Sequence, residues 1–478
     1  MLFNSAEFLF LFLPASLAAY FLLARRGAAG AALGSLVAAS LFFYGWWNPI
    51  YLPLIAGSIL FNFLAGRALA RRESGGLLAC AVAANLGLLG WYKYADFFVE
   101  TVNQVAGTGW PMLRVVLPLG ISFFTFTQIA FLVDAWRGEV KEYDPVSYAL
   151  FVTYFPHLLA GPILHHREMM PQFADRANRT VNWENLARGT ALLAIGLAKK
   201  TLVADHLAGF ANAGFDQPHA MQFFESWFVA LAYTGQLYFD FSGYSDMALG
   251  LSLLFNIRLP LNFNSPYKAL DLQDFWRRWH MTLSRFLRDY VYIPLGGNRG
   301  GEAATLRNLF LTFAVGGLWH GAGWTFVVWG VMHGVGLCVH RLWQRTGRRL
   351  PRRAAWLLTF VFVVCAWVFF RARSLGDAFD MLGAMAGMHG ATVSRPLARL
   401  SERLGGPALP AGEWLPGAGT GDFAIVLLAL AACARLPNSQ EIVARMRFDG
   451  RSALAVGVAL AAGFLTLGRV TQFLYFNF

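Results

Sequence analysis

The sequence predicts an all-α polytopic integral membrane protein folded as one unit, on three observations. First, 57% of its 478 residues are hydrophobic and only 14% are charged, well below the roughly 25% charged content of soluble domains. Second, the mean hydropathy of +0.47 is sustained along the chain, which excludes a soluble domain carrying one anchor. Third, apolar runs recur without strand-like alternation, so a barrel is excluded and helices must satisfy the backbone within lipid. At about 20 apolar residues per crossing, the layout predicts about 11–14 transmembrane and re-entrant helices in one domain spanning 1–478.

The runs fall at about 8–24, 28–46, 50–69, 76–92, 116–134 and 146–164, then at 185–204, 221–239, 243–256, 309–320, 322–340, 354–370, 423–434 and 452–470. They divide into N-terminal helices (1–145), a core (146–340) and C-terminal helices (341–478). Glu7 stands where a signal peptide would carry positive charge, so the first run is expected to persist as a transmembrane helix. The net charge of +12 does not point to nucleic acid, because the basic residues cluster in short loops, the pattern that sets membrane orientation. Arg25 and Arg26, Arg67, Arg71 and Arg72, then Arg137 and Lys141 mark inner loops. So do the arginines at 341, 345, 348, 349, 352 and 353, and those at 435, 445, 447 and 451. Alternation places the aromatic turn 44–49 outside and both termini, including Phe478, on the periplasmic side of a bacterial inner membrane. The polar stretch at about 374–421 reads as the longest outer loop. Cys80, Cys338, Cys365 and Cys433 lie far apart in apolar stretches and read as small buried hydrophobes.

Residues 257–307 are too polar to span and too aromatic for a free loop. Leu272, Phe275, Trp276, Trp279, Leu283, Phe286, Leu287 and Tyr290 recur at three- and four-residue steps, which predicts an amphipathic helix over 271–290. Arg277, Arg278, Arg285 and Arg288 take the opposite face, and Asp271 and Asp274 sit in the first turn, where the helix dipole favours them. That basic face serves either as a headgroup contact or as part of a site.

Ionisable groups inside apolar segments are costly unless they have partners or a role. His320 lies in Gly-Gly-Leu-Trp-His-Gly-Ala-Gly-Trp (316–324), within an apolar stretch basic at both ends, at Arg307 and Arg341. Two arms of about 15 residues reach about 23 Å each, short of the ~30 Å hydrocarbon core, so the hairpin 309–340 is expected to turn inside the membrane with His320 at its tip. An imidazole there suits general-base catalysis; the competing reading is a histidine hydrogen-bonded between helices. His280 falls at the border of the amphipathic face, pointing either into a pore mouth or into headgroups. His333 reads as structural, Lys199 and Lys200 as snorkelling side chains, and His165 and His166 as part of an interfacial loop. Asp240, Ser242, Ser245 and Asp246 read as a polar joint between two helices. No metal-ligand spacing, GxSxG elbow, Walker A or HExxH is present.

Six stretches resemble the membrane-bound O-acyltransferase family, in its bacterial branch of alginate O-acetylation and teichoic acid D-alanylation proteins. They are PLGISFFTFTQIAFLVD (118–134), YFPHLLAGPILHHREMMPQF (154–173), YFDFSGYSDMALGLSLLFNI (238–257), NFNSPYKALDLQDFWRRWHMTLSRFLRDYVYIPLGGNR (262–299), GGLWHGAGWTFVVWG (316–330) and WVFFRARSL (367–375). The resemblance implies a ring of helices around a central funnel, with His320 as the catalytic histidine and His280 as the second active-site histidine. It also implies transfer of an acetyl group from a cytosolic thioester, acetyl-CoA, with no resident cofactor. The acceptor is an extracellular polysaccharide such as alginate, reached with a periplasmic SGNH-like partner. Trp276, Arg277 and Arg278 are then expected along the acyl-donor funnel. D-Alanyl transfer from a carrier protein is the alternative within the family. A chain rich in Ala, Gly and Arg points to a GC-rich Gram-negative source, which weighs against teichoic acid. A lipid-linked sugar transporter is the alternative outside the enzyme class, although no inverted repeat is found.

Overall fold

A computed structural model describes residues 1–140, 143–408, 410–412, 420–467 and 473–474. Lys141 and Phe478, two of the positions used to read the topology, lie outside the described residues, as do 413–419 of the expected outer loop. The described chain is mostly helical, with almost no strand. Large apolar side chains such as Leu11, Ile50, Leu358, Leu428 and Leu454 are exposed on its outside, as a lipid-facing surface requires.

A π-helical turn, Phe8–Phe12, leads into α1 (Leu13–Arg25), followed by α2 (Ala29–Gly45), α3 (Leu52–Arg72) and α4 (Gly75–Leu89). A second π turn, Gly90–Tyr94, joins α4 to α5 (Ala95–Ala106), and α6 (Ile121–Trp136) is buried over most of its length. The run at 146–164 is not one helix: it breaks into α7 (Pro145–Thr153) and α8 (Phe155–Leu158), followed by buried irregular chain. Pro156 removes a backbone donor and its ring clashes with the preceding turn, which ends α7 at Tyr154.

After α9 (His166–Ala174), α10 (Trp183–Ala198) passes through a π turn, Lys199–Ala204, into α11 (Asp205–Phe215). The runs at 221–239 and 243–256 merge into a single 32-residue helix, α12 (Phe223–Leu254). The polar residues between them do not break it, because a helix satisfies its own backbone and the two carboxylates find cations on a neighbouring segment. Lys200 Nζ meets Asp240 at 2.6 Å and Asp205 at 2.8 Å, and Lys199 Nζ meets Asp246 at 2.8 Å. The expected polar joint therefore exists, but the two lysines are its cationic half rather than snorkelling chains. Beside it α10 and α12 touch backbone to backbone. A Cβ on Gly196 would lie 2.6 Å from Gly243 O, and one on Gly250 would lie 2.5 Å from Gly189 O, the small-residue contact that membrane helices use to approach.

The amphipathic segment is interrupted: α13 (Leu272–Trp276) and α14 (Met281–Leu287) are separate, and His280 between them has φ +43°. Residues 262–264 plug the gap, with Asn264 N donating to Arg278 O and Met281 N to Asn262 O, at 2.9 and 3.0 Å. A further π turn, Arg288–Tyr292, follows α14. Next come α15 (Gly301–His320) and α16 (Trp324–Arg345), then α17 (Arg352–Arg371) and α18 (Leu375–Met385). At 20 and 22 residues, the two hairpin arms extend about 30 and 33 Å. They run past the apolar stretch into its charged flanks, so their length does not hold the tip short of a full crossing. The stretch at 374–421 is not a plain loop: α18, α19 (Arg395–Arg403) and a two-residue parallel pairing of Val393–Ser394 with Ala411–Gly412 lie within it. The chain closes with α20 (Thr420–Arg435), α21 (Ser439–Ala444) and α22 (Gly450–Leu465).

Among the described residues, five helices are long and apolar enough to cross a membrane: Phe8–Arg25, Pro49–Arg72, Gly75–Ala106, Trp324–Arg345 and Arg352–Arg371. Ala29–Gly45, Ile121–Trp136 and Gly450–Leu465 are shorter apolar helices, so fewer segments meet that length than the apolar runs predict. The four cysteines are unpaired; Cys433 is buried, whereas Cys80 is exposed, contrary to the expectation for it.

Candidate active site

The α15–α16 hairpin is held by a glycine crossing. A Cβ on Gly317 would lie 2.5 Å from Phe326 O and 2.8 Å from Gly330 Cα, and one on Gly330 would collide with Phe313 O. At the other end, Arg341 and Arg345 of α16 pair with Glu302 of α15 at 2.8 and 3.2 Å. His320 is the last residue of α15, before the extended Gly321. It is buried among Trp319, Trp329 and Phe370, with ring centroids 5.0, 4.9 and 5.2 Å away.

The helix break turns His280 inward. Its ring is wholly buried, packs on Phe241 and stands 6.3 Å from that of His320. The ring is enclosed by protein rather than turned to headgroups. Its protonation geometry follows from Asn262. Thr282 Oγ1 accepts from Ile163 N at 3.0 Å, so its hydroxyl proton is free to go to Asn262 Oδ1 at 2.9 Å. An oxygen already receiving that proton can only accept from His280 Nδ1, 3.1 Å away. His280 therefore carries its proton on Nδ1 when neutral, and Nε2 holds the lone pair. Asn262 was not singled out from sequence; it lies 18 positions from His280, and only the fold joins them.

His333 is fully buried and its Nδ1 accepts from Trp276 Nε1 at 3.2 Å, which agrees with a structural role. Trp276 has thereby committed its only N–H. The Trp329 indole N–H, in contrast, has no acceptor among the described residues.

A cleft of about 600 Å³ opens beside the histidines, with Trp276, Arg277, Thr282, Arg285, Arg288 and Phe313 among its lining. His280 and His320 are not part of that lining; Trp276 and Phe313, 4.9 Å apart, stand at its inner wall. Trp276 and Arg277 thus line the cleft, but Arg278 does not: it bonds Asp274 at 2.8 Å and Asn264 O at 3.3 Å. Arg285 is clamped by both oxygens of Glu168. His165 and His166 are buried rather than interfacial. His166 Nδ1 lies 3.1 Å from Asp134 Oδ2, and Tyr290 OH donates to Asp134 Oδ1 at 2.8 Å. No group of three or more candidate ligands fit to hold a metal occurs among the described residues.

The family description "membrane-bound O-acyltransferase family" matches residues 96–376, a segment that contains both facing histidines and the cleft. The chain belongs to this family. It is an acyltransferase and a multi-pass membrane protein. The peptidoglycan O-acetyltransferase of Helicobacter pylori is 43% identical, with 100% of this chain and 98% of that protein covered. The probable alginate O-acetylase AlgI of Pseudomonas aeruginosa is 41% identical over 80% of this chain and 75% of its own. The teichoic acid D-alanyltransferase of Bacillus subtilis is 27% identical over 55% of this chain and 71% of its own. Within this acyltransferase the polar joint ties α12 to Lys199 and Lys200, and Phe241, between its two aspartates, packs on His280.

Proposed function

We propose that the protein transfers an acetyl group from acetyl-CoA to a hydroxyl of a cell-envelope glycan, with His320 as general base. The buried pairing of His320 and His280, whose rings meet edge-on with centroids 6.3 Å apart beside a cleft edged with arginines, carries this reading. His320 takes the proton of the attacking hydroxyl as its oxygen bonds to the thioester carbonyl carbon; the C–S bond then breaks and the thiolate leaves, protonated to free CoA. His280 is the second histidine of the pair, held in one tautomer by Asn262. The Trp329 indole N–H is the donor we assign to the developing oxyanion, since Trp276 is committed to His333. Arg277 offers its guanidinium group to the phosphates of the donor, while Arg285 and Arg288 at the same cleft are held by Glu168 and Asp289.

Peptidoglycan takes precedence over alginate as the acceptor class, because the relative named for it matches this chain almost end to end. The same full-length match favours acetyl over D-alanyl transfer, whose named relative covers about half of this chain. A periplasmic SGNH-like partner remains part of the proposal for the last transfer to polymer.

The test is release of free CoA from acetyl-CoA by the purified protein, with and without peptidoglycan fragments. Release should rise with acceptor, and it should fall about 10²–10⁴-fold in a folded His320→Ala variant, with His280→Ala also impaired. No release with any acceptor, but turnover of an acylated carrier protein, overturns the acetyl-CoA reading. Full activity in His320→Ala overturns the base.

A further inference from the structure

Lys93 is a buried lysine to which the reaction above gives no part. It sits in the π turn between α4 and α5 and is 9% exposed. Its Nζ donates to Trp319 O at 2.5 Å, to His320 O at 3.3 Å and to Ser122 Oγ at 3.2 Å. Tyr94, its neighbour, donates its hydroxyl to Leu318 O at 2.6 Å. Two adjacent side chains thus hold three consecutive carbonyls, 318 to 320, at the end of the helix that bears His320.

Those carbonyls have no partner within α15, since the last four of any helix lack one. They also form the negative end of the helix dipole, and away from water such groups need a donor. An ammonium supplies charge and three protons together, and all three are spent here. Lys93 therefore has no proton to spare for the substrate in this arrangement.

We infer that Lys93, aided by Tyr94, is a positioning residue for acyl transfer, fixing the end of α15 so that the His320 ring stands against His280. The inference rests on the reading of His320 as the base. Loosening the clamp leaves the donor cleft intact, since neither Lys93 nor Tyr94 lines it, but lets the base drift from the hydroxyl it must deprotonate. A displacement of the order of 1 Å costs about 10²-fold in rate.

The experiment measures kcat and KM for acetyl-CoA, together with detergent melting, in the full-length protein. The variants are Lys93→Met, Lys93→Arg, Tyr94→Phe, His320→Ala and the double Lys93→Met/His320→Ala. Lys93→Met should lower kcat by about 10- to 100-fold with KM within about twofold, Lys93→Arg should recover part of the loss, and Tyr94→Phe should lose less. The double variant should be no slower than His320→Ala, because both act through one group. Wild-type kcat in folded Lys93→Met overturns the inference, as does a loss confined to KM. So does a further fall in the double variant. If Lys93→Met does not fold, Tyr94→Phe decides: lowered kcat at unchanged KM supports the clamp, and unchanged kcat overturns it. Retained activity in His320→Ala sinks the base assignment itself, an outcome separate from failure of the clamp alone.

Discussion

Asn262 shows what a single side chain settles in this site. Its oxygen gathers the Thr282 hydroxyl and the His280 Nδ1–H, so replacing it with leucine leaves two buried donors without an acceptor. Asn262→Leu should cost about 1–3 kcal/mol of stability and lower CoA release with acetyl-CoA binding retained, because His280 is then free to take the other tautomer. A folded variant with wild-type turnover would show that the tautomer is immaterial. His320 and His280 were legible in the sequence, one as an ionisable group flanked by glycines, the other at the edge of an apolar face, and both through their motifs. Asn262 was not, because its meaning is a contact across 18 residues. Lys93 was missed for a different reason. It follows directly on the apolar run at 76–92 and looks like its polar end, whereas the helix continues through a π turn and carries the lysine inside. His165 and His166 read as a loop because their carboxylate partner, Asp134, lies on α6.

At the level of elements, apolar runs located the long apolar helices, whereas the shorter or more polar α5, α9, α11, α18, α19 and α21 fell outside them, and so did the places where helices break or fuse. Pro156 splits one run; its signal was in the sequence, as a proline inside an apolar stretch. The break at His280 had no such signal, since residues 271–290 keep a continuous helical pattern and the interruption is imposed by the 262–264 segment bonding into the gap. The fusion into α12 hid because Asp240 and Asp246 mimic a boundary until Lys199 and Lys200 are seen against them. The hairpin crossing yields a prediction at this scale. Gly330→Val must push α15 from α16, because a single added Cβ already meets Phe313 O and Gly317 Cα. The strain should cost about 1–3 kcal/mol, read as a lower detergent melting midpoint, and turnover should fall as the hairpin tip moves. Gly34→Val serves as the control: a Cβ there meets nothing within 4 Å, so it should leave both readouts in place. Equal effects from the two substitutions would refute the close crossing.

For the whole molecule, the arginine-rich loops predict the orientation that the proposed chemistry needs. The cleft is lined by Leu309 and Leu337 in the hairpin halves nearer to Arg341 and Arg345, so it opens on the side of the basic loop 341–353. If that loop is cytosolic, as positive charge in short loops dictates, the cleft faces the compartment that holds acetyl-CoA. The histidines lie deeper, toward the far end of the two hairpin helices, where an acceptor from outside would arrive. Cysteine labelling tests this in a Cys80→Ser background, which removes the exposed native thiol. Gly109→Cys, on the side opposite the basic loops by alternation, should react with a membrane-impermeant maleimide in intact spheroplasts. Arg348→Cys should react only after permeabilisation. The reverse pattern would turn the cleft toward the periplasm, remove its access to acetyl-CoA and bring down the donor assignment together with the topology, whereas the packing around His320 and His280 would stand.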